Sequence, residues 1–156
     1  MHRDRAKGMR SIGFMIGLGM MVVGAAACSQ SGTGSRMGAM MGGGTALTGA
    51  QEVPAVNTQA TGVSSIIVSG DKNISGEVRT TNLNGTAAHI HLGAMGQNGP
   101  VIIPLAKTAD GVWTVPANTT LTSAQFDAYR AGDLYVNVHS AAYPGGEVRL
   151  QLWPAK

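Results

Sequence analysis

From residue 46 onward the apolar positions fall into short runs, broken at close intervals by Gly, Asn, Asp and Pro. The first run, residues 46–53, stops at Pro54. Residues 60–69 hold the run from Val63 to Val68 and face residues 72–83 across Gly70-Asp71, which predicts a hairpin. Asn84-Gly85, the strongest short turn signal in the chain, leads into residues 86–92 because both residue types tolerate positive φ. Gly99-Pro100 introduces residues 101–105, and residues 111–115 end at Pro116. One helix is predicted at residues 123–131, with Thr122 as N-cap, Gln125 completing a capping box and Gly132 as the stop. The last two runs are residues 134–139 and 147–152. Seven or eight short strands at this spacing predict an all-β Greek-key sandwich or barrel with one short helix.

Two of these runs carry chemistry as well as pattern. Side chains alternate between the faces of a strand, so His89 and His91 project together, away from Ile90 and Leu92. In residues 134–139 the apolar face is Leu134, Val136 and Val138, leaving Tyr135, Asn137 and His139 opposite. If the two strands are neighbours, three imidazoles converge. In residues 147–152, Val148, Leu150 and Leu152 alternate with Glu147, Arg149 and Gln151.

The N-terminal segment reads differently. Arg3, Arg5, Lys7 and Arg10 precede an uncharged stretch, residues 12–27, built from Met, Ile, Leu, Val, Gly and Ala with few exceptions. That is the basic and apolar pattern of a secretory signal peptide over residues 1–27, shorter than the roughly 20 residues of a membrane span. Cys28, the single cysteine, follows Ala25-Ala26-Ala27 directly, which resembles the lipobox of bacterial lipoproteins with Ala25 in place of the usual Leu. The resemblance implies lipid attachment at Cys28 and a cell-envelope location facing the periplasm or exterior. The same alanines also read as an ordinary cleavage site, which would give a secreted soluble form. Residues 28–44 are Gly, Ser and Met-rich and predict a flexible tether, whose 16 residues after the cysteine span roughly 20–24 Å. Met37, Met40 and Met41 within it are soft donors but fit a low-complexity linker equally well. The folded domain is then residues 45–156.

The formal charge of +3 changes meaning once that segment is set apart. Its four basic residues and Asp4 lie before Cys28, so residues 28–156 have no net charge, and the basic stripe that nucleic-acid binding needs is missing. With Cys28 assigned to lipid, no disulfide within the domain is available. There is no Gly-x-Ser-x-Gly elbow or phosphate-cradling loop. Only Trp113 and Trp153 represent tryptophan, too few for an aromatic carbohydrate platform.

Several long motifs occur in order: Leu47-Thr48-Gly49-Ala50-Gln51-Glu52-Val53-Pro54; Ala88-His89-Ile90-His91 with Gly93, Gly96 and Gly99-Pro100; Leu134-Tyr135-Val136-Asn137-Val138-His139; and Tyr143-Pro144-Gly145-Gly146-Glu147-Val148-Arg149. Over about residues 46–153 they resemble the CHRD domain, named for chordin, which implies an immunoglobulin-like or superoxide-dismutase-like β architecture and no particular reaction. The short segment 88–99 is also similar to the copper-ligating strand of copper-zinc superoxide dismutase. That enzyme's two-metal site needs more histidines and an aspartate, whereas His89, His91 and His139 are all that follow Cys28.

Three imidazoles suit a mononuclear copper or zinc site completed by water or a fourth group, for which Glu52, Met95 and Glu147 are candidates. Glu147 alternatively orients an imidazole. The bland reading sets the histidines on a solvated sheet face, bonded to Tyr135, Asn137 or backbone. Tyr143 then packs, and Pro144-Gly145-Gly146 forms a turn. Three functions follow in order: extracytoplasmic metal binding or tolerance, a metal-free adhesion or interaction module, and a metal-dependent oxidoreductase. No catalytic residue is assigned.

Overall fold

The computed structural model describes residues 45–154; the expected signal peptide, Cys28 and the tether with its methionines lie outside the described residues. The strands are β1 (Ala46–Thr48), β2 (Thr61–Ser64), β3 (Ile67–Val68), β4 (Ile74–Ser75), β5 (Glu77–Thr81), β6 (Gly85–Leu92), β7 (Val101–Pro104), β8 (Ala106–Ala109), β9 (Val112–Thr114), β10 (Leu134–Ser140) and β11 (Val148–Leu152), with one helix, α1 (Ser123–Ala131). Nine strands form one antiparallel sheet in the order β7-β6-β10-β11-β1-β2-β5-β9-β8, and β3 pairs with β4 in a separate ribbon. The chain is all-β with one short helix, as the pattern predicts.

The two ends of that order, β7 and β8, are consecutive in the chain and joined at Leu105. The Leu105 N–H donates to Ala88 O of β6 at 2.9 Å, so the sheet curls into a nearly closed barrel. Closure removes most of the unpaired edge that an open sheet would expose. Inside lie Leu47, Val78, Ile90, Leu134, Val136, Val138 and Val148, all fully buried. Burying each such side chain is worth about 1.5–3 kcal/mol.

The predicted hairpin at Gly70-Asp71 is real but shorter and interrupted. β3 and β4 pair around it, while Ser65-Ile66 and Gly76 break the ladder before β2 resumes pairing with β5. Asn84-Gly85 does not close a hairpin. β5 pairs with β2 and β9 and β6 with β7 and β10, so this segment crosses between distant parts of the sheet, with Gly85 starting β6 itself. Gly85 is demanded by packing: a Cβ there would fall 2.7 Å from the Trp113 ring. The pattern missed β8 altogether, since all four of its residues are exposed and carry no alternation.

The helix forms where its caps place it. The Thr122 side chain accepts from Gln125 N–H, the Gln125 side chain accepts from Thr122 N–H, and Gly132 ends the helix in the left-handed region at φ 80°. The helix faces the core with Tyr129, whose hydroxyl donates to Trp153 O at 3.1 Å.

Candidate metal centre

β10 lies between β6 and β11, and register decides what meets what. Asn137 is opposite His89 on one side and Arg149 on the other; Tyr135 is opposite His91 and Gln151. Leu134, Val136 and Val138 enter the barrel core as expected. The polar face is not solvated: every residue of β10 is buried. Three loops cover it, residues 49–60, 93–100 and 141–147.

The lid formed by residues 93–100 is tied to a buried cation. Arg149, only 1% exposed, lies over the Tyr135 ring with its guanidinium carbon 3.4 Å from the ring centroid. Its nitrogens donate to Gln97 O (2.9 Å), Asn98 Oδ1 (3.3 Å), Ala94 O (3.4 Å) and Gln151 Oε1 (3.2 Å). Asn98 Nδ2 in turn donates to Val53 O at 2.7 Å, joining the lid to the loop after β1. On the other side of Tyr135 the His91 ring is stacked at 4.6 Å and 4°. Gly99 completes the clamp, its N–H donating to the Tyr135 hydroxyl at 3.2 Å and its carbonyl accepting from His91 Nδ1 at 2.9 Å. Only glycine fits at this position, because a Cβ would lie 1.7 Å from Leu92 O.

His139 is oriented the same way. Its Nδ1 donates to Pro144 O at 2.9 Å, within the predicted turn, where Gly146 takes φ 130°. A carbonyl only accepts, so both His91 and His139 carry hydrogen on Nδ1 and, as neutral rings, present a lone pair at Nε2. His139 Nε2 is 3.0 Å from His89 Nδ1, which therefore donates to it. Taking one ring nitrogen from each, the three imidazoles lie within 4.8 Å of one another. Burial lowers the pKa of both His89 and His139, and the neighbouring imidazoles lower it further; the Pro144 carbonyl partly opposes this for His139. Neutral rings are what a metal requires, and an ion here would take the His139 Nε2 lone pair in place of the His89 hydrogen. This cluster could hold a metal ion.

The three candidate fourth groups fare differently. Glu147 is already satisfied, accepting from the Thr58 hydroxyl at 2.6 Å and the Ser140 hydroxyl at 2.5 Å, so it neither reaches nor orients an imidazole. Met95 is 61% exposed on the lid. Glu52 is buried with Oε1 unpartnered, and lies beside Asn137 at Gly146, where a Cβ would sit 2.4 Å from that oxygen and 2.6 Å from Asn137 Nδ2. Burial raises its pKa to about 7, against the lowering effect of Arg149, the Asn137 amide and the Val53 backbone. Neither carboxylate joins the histidine cluster.

Sequence reasoning named Asn137 as a hydrogen-bond partner of the histidines, which it is for His91, and missed Arg149 as part of the site. Its alternation with Val148 and Leu150 reads the same on a covered face as on a solvated one, so no local signal marked it.

The family model of the CHRD domain matches residues 44–152. The chain belongs to the CHRD domain family. The match spans the whole barrel and every residue of the histidine cluster. No curated protein and no solved structure matches the chain.

Proposed function

We propose that this CHRD-domain protein binds a transition metal, copper before zinc, through His89, His91 and His139, and handles that metal outside the cytoplasm. The observation that carries the reading is that His91 and His139 each give their Nδ1 hydrogen to a backbone carbonyl. Ring orientation by a second hydrogen bond is the usual support of a metal-ligating histidine. Copper comes first because divalent copper binds imidazole nitrogens more tightly than zinc does. The lipobox-like segment before Cys28 supports anchoring by lipid at the cell envelope, with the Gly-rich residues 29–44 as tether.

Titration of the whole chain with copper(II) and zinc(II), beside a variant with His89, His91 and His139 all changed to Ala, tests the site. Near-stoichiometric binding that the variant loses supports it. Equal, weak binding by both proteins defeats it and leaves the interaction-module reading. Incorporation of a labelled fatty acid, abolished by Cys28→Ser, tests the anchor.

A further inference from the structure

Asn137 Oδ1 faces His91 Nε2 at 3.0 Å. In the neutral ring that contact has no hydrogen to share. His91 has given its own to Gly99, so Nε2 offers a lone pair, and a carbonyl oxygen offers only lone pairs. Two acceptors this close share a cation, either a second proton on His91 or a metal ion, and the two further imidazoles beside them suit the metal.

The rest of the amide is held so that its oxygen keeps that direction. Asn137 Nδ2 points the other way, towards Gly145 O at 3.5 Å and the unpartnered, buried Oε1 of Glu52. Gly146 makes room for this arrangement, since any side chain there would strike both Glu52 and the amide. Asn137 also stands two residues before His139 and directly across from His89, on the same sheet face as all three imidazoles. Four donors therefore sit on two adjacent strands, two from each.

We propose that Asn137 supplies the fourth ligand through Oδ1, giving three imidazole nitrogens and one amide oxygen. This rests on the three-histidine reading and fills the coordination position left open there. A mixed nitrogen and oxygen set is the kind that suits tetragonal copper(II).

The test uses the whole chain, copper(II) as probe, and Asn137→Ala and Asn137→Asp beside wild type. Loss of an oxygen donor in Asn137→Ala is expected to weaken copper(II) about tenfold and change the electron paramagnetic resonance parameters, while pulsed measurements still count three imidazoles. Asn137→Asp, which offers a charged oxygen at the same place, is expected to restore or exceed wild-type affinity. A fall from three imidazoles to two in Asn137→Ala would overturn the proposal, because Asn137 would then serve only to position His91. Should Asn137→Ala fail to fold, wild type answers alone. On loading with diamagnetic zinc(II), the Asn137 side-chain amide resonances must shift, and an unmoved amide overturns the proposal. Absence of copper binding by wild type would sink the three-histidine reading itself, a separate outcome.

Discussion

On one face of β10, Leu134, Val136 and Val138 lie in the barrel core among Ile90, Val148 and Leu150; on the other, Tyr135, Asn137 and His139 are just as buried, under loops. The two faces reach equal burial by different physics. The inner face is held by non-directional packing, in which any residue of similar volume contributes similarly. The outer face is held by directed bonds, where one lost partner strands another group. A cavity inside should therefore cost stability and spare the site, while a change outside should cost less stability and disturb the histidines.

The largest effect is expected from Ile90→Ala. Ile90 is fully buried between the two histidines in sequence but faces the opposite way. Removal should destabilise the fold by about 2–5 kcal/mol, read from denaturant midpoints, with metal affinity of the folded fraction unchanged. A loss of affinity larger than the loss of folded protein would show that the faces are coupled.

Glu52→Gln comes next, and its sign depends on pH. The native carboxyl titrates near 7 against 4.5 when exposed, so the native state binds more protons between those values. Stability from this group is then full below pH 4.5, falls as pH rises through the window and levels off above 7. Gln has no such cost, so at pH 8 the variant should be about 3 kcal/mol more stable than wild type, and at pH 4 equal to it. His89 and His139 act the other way. Their lowered pKa values mean the native state resists protonation, so stability from them is present above 6.5 and lost as pH falls through their native values. Comparing unfolding of both proteins from pH 4 to 8 isolates Glu52; a variant no more stable than wild type at pH 8 would refute a buried carboxylate cost.

What could be read from the chain divides along the same line. Alternation in residues 134–139 and 86–92 identifies which side chains share a face, and the caps Thr122, Gln125 and Gly132 fix the helix, because both are local. Adjacency of β6 and β10 is not local: β7, β8, β9 and α1 intervene, and no pattern records that closure of the barrel brings these strands together. The same limit hid the outer core. Arg149 and Gln151 alternate with Val148, Leu150 and Leu152, which is how a solvated face also reads, and only the lid above them makes the difference. Asn84-Gly85 misled for a related reason, since its chemistry permits a turn but its partners are set by crossovers.

Arg149→Leu probes how the lid is fastened. Leucine keeps apolar contact with Tyr135 but strands acceptors on Gln97, Asn98 and Ala94, at a cost of about 1–3 kcal/mol. More specific is the expected rise in hydrogen exchange at Gly99 and weaker metal binding, since Gly99 O orients His91. An unchanged exchange rate would mean that the guanidinium fills space without holding the lid.

Tyr135→Phe is the mildest cut and separates the two fastenings. The ring stays between His91 and Arg149, so the stack and the cation over its face survive. Only the acceptor for Gly99 N–H is lost, a long bond at 3.2 Å between neutral groups. The expected cost is at most about 1 kcal/mol, with metal affinity within about twofold of wild type. If Tyr135→Phe instead matched Arg149→Leu in both stability and affinity, the hydroxyl rather than the guanidinium would be the tie that keeps Gly99 against His91. The outer face would then depend on one neutral hydrogen bond rather than on a buried charge.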